Sequence, residues 1–174
     1  MDELLFDLRE PVNDDVKEYI KFLADPEVSI WLEDEVQDSI NFINIENYVL
    51  NGWFRWSIEL NKKFIGLSGL DLVDLKKNVA RFFIVIGEKK YWGKGIGSKV
   101  IKKVVKHGFE KLNLRKISSD FLSPNEAVKI IHQKAGFKID GVIRKESFRN
   151  EKWVDRIILS IFKNEFEHNL ELNK

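Results

Sequence analysis

A short glycine-rich stretch, Gly93-Lys94-Gly95-Ile96-Gly97, stands immediately before a segment with helical periodicity. The apolar residues of that segment recur on one helix face, which predicts a helix of about 16 residues beginning near Ile96. A helix N-terminus offers unpaired N–H groups and a partial positive charge, and glycines let an anion approach the backbone closely. The pattern therefore predicts a phosphate-binding turn, because a turn that only caps the helix needs one glycine rather than three.

Three classes of phosphate ligand compete for such a turn. A Walker-type nucleotide loop requires G-x-x-x-x-G-K-[ST], and the chain lacks that spacing. A dinucleotide fold requires G-x-G-x-x-G and an acidic residue ~20 positions later, whereas the chain has G-x-G-x-G and then Leu114-Arg115-Lys116. The third class, the pyrophosphate of coenzyme A, is not decided by the glycines alone.

The composition is that of an ordinary globular protein of 174 residues, with 44% hydrophobic and 33% charged residues. This length predicts a single domain over residues 1–174. The absence of cysteine excludes a disulfide scaffold and a thiolate nucleophile. No apolar run approaches the ~20 residues of a membrane span, and the acidic start MDELLFDLRE is unlike a secretory signal, so the expected location is cytoplasmic.

The charge is distributed unevenly, although the net charge is only +1. Residues 1–60 hold 15 acidic and 4 basic residues, a balance of −11. Residues 61–174 hold 13 acidic and 25 basic residues, a balance of +12. The asymmetry predicts that one part of the chain meets anions and the other part meets cations.

Hydrophobic periodicity predicts the elements that position the glycine turn. Their order is β-α-α-β-β-β-α-β-α-β-β, an α+β pattern with a mostly antiparallel sheet, and residues 53–86 form a meander that turns at Asn61-Lys62. Residues 24–36 are predicted as a loop and residues 164–174 as a tail. The predicted strands cover 4–10, 53–60, 63–75, 79–87, 115–122, 137–144 and 153–163. The predicted helices cover 13–24, 39–50, the segment after the glycines, and a segment that begins at Pro124 or Asn125 and ends at residue 136.

Three stretches of the chain carry a family resemblance. They are LREPVNDDVKEYIKFLADPEVSIWL, IVIGEKKYWGKGIGSKVIKKVVKHGFEKLNLRKI and NEAVKIIHQKAGFKIDGVIRKESFRNEKWVDRIIL, the last with an asparagine that begins a helix and a Gly-Phe after it. Together they resemble the GNAT N-acetyltransferase superfamily, in its RimJ/RimL-like branch. The resemblance implies a GNAT-like mixed, mostly antiparallel central sheet with splayed strands, flanked by about four helices.

The resemblance also implies acetyl-coenzyme A as co-substrate and no metal. In this family the pantetheine arm pairs with a splayed strand, whose unpaired edge offers N–H and C=O groups to an amide-containing ligand. The matching strand residues are Ile84, Val85 and Ile86. The pyrophosphate matches Trp92, Gly93, Lys94, Gly95, Ile96, Gly97 and Ser98, and the further cofactor-binding candidates are Asn125 and Lys134.

Acetyl transfer requires a neutral amine, a polarised thioester carbonyl and a proton for the leaving thiolate. Many relatives give that proton from a tyrosine, and the matching residue is His132, an acid candidate with side-chain packing as the alternative role. The strand carboxylate that relatives often use as a base is matched by Arg81. The replacement candidates are Glu33, Asp34, Glu35, Glu59 and Asp71, and Asp155 matches an acidic position in the last strand.

These features together predict an acetyl-coenzyme A–dependent N-acetyltransferase that acts on a primary amine. The stretch SIWLEDEV resembles a segment of bacterial spermidine acetyltransferases, so Glu33, Asp34 and Glu35 are predicted to bind a small cationic amine such as a polyamine. A protein N-terminus of the ribosomal type is the alternative acceptor. A non-catalytic coenzyme-binding module is the alternative function.

The expected partners follow from the same features. A lysine stripe on the helix after the glycines could serve nucleic-acid phosphates, but the acidic N-terminal part opposes that function. The expected partners are therefore a small-molecule amine or a protein N-terminus, with neither nucleic acid nor a membrane. Because relatives often dimerise, a homodimer is also expected.

Overall fold

The computed structural model describes residues 6–32 and 45–172. The strands in that part of the chain are β1 (Phe6–Arg9), β2 (Arg55–Leu60), β3 (Lys63–Asp74), β4 (Val79–Ile86), β5 (Lys116–Leu122), β6 (Lys138–Arg149) and β7 (Lys152–Phe162). The helices there are α1 (Asn13–Ala24), α2 (Pro26–Ser29), α3 (Ile45–Leu50), α4 (Ile96–Glu110), α5 (Glu126–Ala135) and α6 (Lys163–Leu172), with a short 3-10 helix at Lys89–Tyr91.

The strands form one sheet in the order β1-β2-β3-β4-β5-β7-β6. The pairs β1–β2, β2–β3, β5–β7 and β6–β7 are antiparallel, whereas β4 and β5 are parallel. A parallel pair needs a long crossover connection, and α4 supplies it. The predicted α+β class with a mostly antiparallel sheet is confirmed.

Helix α2 lies where the sequence predicts a loop. Its N-cap is Asp25, whose carboxylate accepts a hydrogen bond from the N–H of Glu27 (3.0 Å), and Pro26 occupies the first turn. Both features are common at the beginning of a helix. The predicted loop at 24–36 is therefore wrong in its first part. Helix α3 is the described part of the predicted helix at 39–50.

Helix α6 replaces the predicted C-terminal tail, so that prediction is wrong. Phe166 is buried against Phe109 of α4, with ring centroids 5.3 Å apart. Glu165 accepts a hydrogen bond from the N–H of Phe162 (3.0 Å) and forms an ion pair with Lys138 (2.7 Å). With α2 and α6, the described part of the chain holds six helices rather than about four.

Contacts divide the chain into two compact units, Met1–Gly69 with Ile84–Ile96, and Leu70–Phe83 with Gly97–Lys174. In the first unit, Asp15 of α1 is 3% exposed and accepts hydrogen bonds from both terminal nitrogens of Arg9, at 2.7 and 2.9 Å. Asp15 also accepts from the Ser57 hydroxyl (2.7 Å) and from the N–H of Val12 (2.9 Å). This carboxylate therefore joins β1, the start of α1 and β2.

In the second unit, α4 packs its apolar face into a core that includes Ile117 of β5. The fully buried residues of that face are Val100, Ile101, Val104, Val105 and Phe109. None of the helices in the described ranges is both long enough and apolar enough to cross a membrane. The single domain expected from the length of the chain stays a prediction.

Two hairpins turn through pairs of residues with left-handed backbone. Asn61 and Lys62, between β2 and β3, have φ of 49° and 61°, and Asn150 and Glu151, between β6 and β7, have φ of 48° and 61°. Two left-handed residues define a type I′ turn, whose twist suits a two-residue hairpin loop. The predicted turn at Asn61-Lys62 is confirmed.

Candidate functional site

The glycine turn leads from the 3-10 helix into α4. Gly93 and Gly95 have φ of 72° and 76°, a conformation that favours glycine over other residues. Both are exposed, and a Cβ added at either would meet no atom within 4 Å. Ile96 begins α4 and is 3% exposed, so its burial fixes the exit of the turn. Open space beside a helix N-terminus is what an anion site of this kind requires.

The last residues of β4 direct their peptide groups alternately to the two edges of the strand. A Cβ on Gly66 of β3 would lie 2.1 Å from the carbonyl oxygen of Val85, and the N–H of Gly87 donates to a β3 carbonyl (3.0 Å). Val85 and Gly87 therefore direct their peptide groups toward β3. Because peptide groups of successive strand residues point to alternate sides, Ile84 and Ile86 direct theirs to the opposite edge. Among the three predicted strand residues, only Val85 faces β3.

Trp92 occupies one group on the edge opposite β3. Its indole Nε1–H donates to the carbonyl of Ile86, at 2.7 Å. Its backbone N–H donates to the Lys89 carbonyl (2.9 Å) and so closes the 3-10 helix. The residue immediately before the glycine turn is therefore bonded to the last residue of β4.

The ladder between β4 and β5 is short. It runs from Val79↔Lys116 to Arg81↔Ser118, whereas β4 itself continues to Ile86. This early end agrees with the splayed strands that the family resemblance implies.

His132 of α5 is buried among aromatic rings. It is 1% exposed, and its ring centroid lies 5.8 Å from that of Phe82, 6.0 Å from that of Phe121 and 5.0 Å from that of Phe137. Burial in this apolar setting is the main influence on the imidazole and lowers the pKa of His132 to about 4. The side chain is therefore neutral near pH 7.

Both imidazole nitrogens of His132 have partners. Nδ1 lies 2.8 Å from the Val128 carbonyl, which can only accept, so Nδ1 carries the hydrogen. Nε2 then accepts from the Ser119 hydroxyl at 2.8 Å, although the same hydroxyl lies 3.1 Å from the carbonyl of Phe82. This geometry favours the packing role, and thiolate protonation by His132 stays a prediction.

Arg81, at the position where relatives often carry a base, contacts a carboxylate. Its Nη1 lies 3.7 Å from Asp120 of β5, which also accepts a hydrogen bond from Nη1 of Arg156 (2.5 Å). Nε of Arg156 donates to Glu146 at 2.7 Å. Sequence reasoning missed Asp120, although an acidic residue between the serines and the apolar end of the strand KISSDFL was the available signal.

The remaining coenzyme candidates lie on α4 and α5. Ser98 is partly buried in the first turn of α4, and Lys94 is exposed before it. Asn125 caps α5, since its side-chain oxygen accepts from the N–H of Val128 (3.2 Å). Lys134 is exposed in the last turn of α5.

The carboxylate candidates are in different situations. Glu59 accepts a hydrogen bond from Arg9 (2.6 Å), and Asp155 accepts one from the N–H of Lys145 (2.8 Å). Asp71 is partly buried at the surface of β3. The predicted amine-binding residues Glu33, Asp34 and Glu35 lie outside the described residues. Where the structure describes the chain, no three His, Cys, Asp or Glu side chains are grouped to hold a metal ion.

Residues 6–138 match the family described as Acetyltransferase (GNAT) domain. This match covers most of the chain, and the chain therefore belongs to the GNAT acetyltransferase family. The family resemblance predicted from the sequence is confirmed. Its assignment to the RimJ/RimL-like branch stays a prediction.

Two curated relatives and one solved structure illustrate the match. YoaA, an uncharacterized N-acetyltransferase of Bacillus subtilis, is 35% identical over 112 residues, which are 63% of this chain and 62% of YoaA. The spermidine N(1)-acetyltransferase of Escherichia coli K12 is 30% identical over 112 residues, 64% of this chain and 60% of the enzyme. The chain thus spans less than two thirds of the length of these relatives.

The solved structure is a spermidine N-acetyltransferase from Vibrio cholerae in complex with CoA and spermine. It superposes with a TM-score of 0.77 at 20% identity, covering 93% of this chain and 98% of that chain. At this level of identity the similarity shows that the two proteins share a fold.

Proposed function

We propose that the chain transfers the acetyl group of acetyl-coenzyme A to a primary amine. The observation that carries the proposal is the glycine turn, in which two left-handed glycines stand beside open space at the start of α4. Membership of the GNAT family supports acetyl-coenzyme A as the anion, and the Vibrio cholerae neighbour was solved with CoA.

The proposed coenzyme contacts are mostly backbone groups. The pyrophosphate binds N–H groups of residues 93–98, where Gly93 and Gly95 leave room for it, because the N–H of Trp92 already donates to the Lys89 carbonyl. The pantetheine arm pairs with Ile84 and the N–H of Ile86, on the edge of β4 opposite β3. Val85 contributes a buried side chain, 8% exposed, rather than this pairing. The outlying proposed contacts are Asn125 and Lys134.

The proposed reaction is a direct displacement. The amine nitrogen attacks the thioester carbonyl carbon, the C–S bond breaks, the attacking nitrogen loses a proton and the leaving sulfur gains one. A backbone N–H of β4 stabilises the negative charge that develops on the carbonyl oxygen. His132 and water are the two candidate sources of the proton that the sulfur takes.

The proposed acceptor is a small cationic amine, with polyamines first. Residues 1–60 carry a balance of −11, which attracts polycations, and a spermidine acetyltransferase is among the relatives. Some carboxylates of this region already have cationic partners, because Asp15 is bonded to Arg9 and Asp25 lies 2.8 Å from Lys89. The proposal therefore depends on the acidic triplet at residues 33–35.

An acceptor panel tests the activity and the acceptor separately. Thiol release from acetyl-coenzyme A is followed with spermidine, spermine, a simple monoamine and an N-terminal peptide, and the protein contributes no thiol because it has no cysteine. We expect the highest kcat/KM with the two polyamines. If only the peptide is acetylated, the proposed acceptor is a protein N-terminus and not a polyamine. Coenzyme A that fails to bind in calorimetry would refute the activity itself.

Gly95→Val tests the glycine turn within this proposal. The variant forces a branched residue into φ of 76° and fills the open space beside the turn, so we expect coenzyme A affinity to fall at least tenfold. Gly141→Val is the matched control, since a Cβ at that β6 position also meets no atom within 4 Å. Equal affinity in a folded Gly95→Val protein would show that the coenzyme binds elsewhere.

A further inference from the structure

Trp92 stands between the two proposed coenzyme-binding elements. It directly precedes Gly93, and its indole N–H is bonded to the carbonyl of Ile86, the last residue of β4. Trp92 is 40% exposed, so burial alone does not hold its ring against β4. The hydrogen bond is the contact that ties the entry of the turn to the strand.

The bond changes what β4 offers to a ligand. Ile84 and Ile86 direct their peptide groups to the edge opposite β3, where an amide-containing ligand would pair. The indole N–H takes one of the two acceptor sites of the Ile86 carbonyl, so the groups on that edge that it leaves untouched are the Ile84 peptide groups and the N–H of Ile86. Strand-like pairing with a ligand then ends at the N–H of Ile86, the last residue of β4.

The bond also restricts the turn. Gly93 and Gly95, separated only by Lys94, allow the turn many backbone conformations. The conformational entropy lost when a ligand selects one of these conformations opposes binding. The 3-10 helix before the turn is already held, because Lys89 forms ion pairs with Asp25 (2.8 Å) and with Glu27. The hydrogen bond of Trp92 to Ile86 anchors the residue directly before Gly93. Buried Ile96 anchors the residue directly after Gly95.

We infer that Trp92 is a positioning residue for the coenzyme: its indole N–H holds the glycine turn in its anion-binding conformation and sets where strand pairing on β4 ends. The inference rests on the proposed function. A turn held in advance loses less conformational freedom on binding, so the bond strengthens affinity without touching the reacting atoms.

Three variants separate the hydrogen bond from ring packing. Trp92→Phe keeps an aromatic ring and removes the N–H, and Trp92→Gln restores an N–H donor at a similar reach without the ring. Trp53→Phe is the matched control, because Trp53 is 76% exposed and has no part in the turn. Coenzyme A affinity is measured by calorimetry, and kcat and KM for acetyl-coenzyme A are measured with the best acceptor of the panel.

For Trp92→Phe we expect coenzyme A affinity to fall about twofold to tenfold, as for one lost hydrogen bond, with KM raised in parallel and kcat unchanged. Trp92→Gln should recover part of the loss, and Trp53→Phe should match the wild type. Thermal melting confirms that each variant is folded.

Other outcomes overturn the inference in distinct ways. Unchanged affinity in Trp92→Phe would show that the bond is incidental, and tighter binding would show that the indole competes with the coenzyme for the Ile86 carbonyl. Equal losses in the Phe and Gln variants would assign the effect to the size and shape of the indole rather than to its N–H. Wild-type protein that binds no coenzyme A would instead refute the proposed function.

Discussion

At the scale of single residues, His132 shows how the environment decides what a side chain can do. A histidine at the position of the family's acid suggests proton transfer near neutral pH. Its burial among three aromatic rings instead makes the neutral form the stable one and outweighs the bond to the Val128 carbonyl, which favours the charged form. Stability and activity therefore give independent measurements of its role.

The buried imidazole predicts a specific pH dependence of stability. The pKa of His132 is about 4 in the folded protein and about 6.5 when unfolded, so the unfolded state takes up the proton first as the pH falls. This contribution to stability is complete above pH ~6.5 and is lost progressively toward pH ~4. Between pH ~6.5 and ~4.5 we expect His132 to account for about 2–3 kcal/mol of the decrease in the free energy of unfolding.

Urea titrations of wild type and His132→Phe across this range provide the measurement. The variant should show the shallower pH dependence, and His168→Gln, which replaces an exposed histidine, should match the wild type.

The same His132→Phe protein tests catalysis, because loss of a positioned acid lowers kcat by about 10²–10⁴. A kcat within a few-fold of wild type would assign His132 to packing.

At the scale of elements, the Asp15 carboxylate decides how β1, α1 and β2 are joined. It accepts two hydrogen bonds from Arg9, one from Ser57 and one from the backbone of Val12. Burial by itself would raise the pKa of Asp15, but these bonds together outweigh it and lower that pKa, so the carboxylate stays ionised at neutral pH.

Asp15→Ala should destabilise the protein by about 3 kcal/mol, because Arg9 and Ser57 lose a buried partner. Asp14→Ala is a close control, since the neighbouring Asp14 side chain is 91% exposed and its contact with Lys17 is long, at 3.6 Å. We expect the control to change stability by less than about 1 kcal/mol in urea unfolding. Similar losses of stability in both variants would show that negative charge at the start of α1, rather than the buried hydrogen bonds of Asp15, contributes the stability.

Elements were predictable where periodicity was strong. Helix α1 has the bounds that the sequence predicts, because its apolar residues repeat at helical spacing next to Asp14 and Asp15. Helix α6 was missed because its stability comes from Phe166 packing on Phe109, a contact between segments far apart in sequence. Strand β6 continues to Arg149, past the predicted end at residue 144, as a polar edge strand without a clear apolar alternation.

The candidate site was also predictable only in part. The glycine spacing and the family resemblance identify the turn without any coordinates. The sequence does not show that Ser119 bonds His132, that Asp120 contacts Arg81 or that Trp92 bonds Ile86, because these contacts depend on how strands and helices are brought together.

At the scale of the whole molecule, the uneven charge predicts a salt dependence. Attraction between an acidic region and a polyamine weakens as the screening length falls from ~10 Å at 0.1 M salt to ~3 Å at 1 M. The KM for spermidine should therefore rise over this range, and should also rise in Glu33→Gln/Glu35→Gln. A shorter diamine, with fewer ammonium groups, should show a shallower rise. A spermidine KM that ignores both salt and these substitutions would remove the electrostatic basis of the acceptor proposal.

The strand connections also have a consequence for how the chain folds. The β6–β7 hairpin closes through two left-handed residues, Asn150 and Glu151, so its pairing needs little loop entropy. The β4–β5 ladder joins strands separated by all of α4 and gains only three register pairs in return. Local hairpins form before such non-local contacts, because loop closure must precede the contacts that reward it. We therefore expect the ladder next to the proposed coenzyme edge to be among the last parts of the sheet to form.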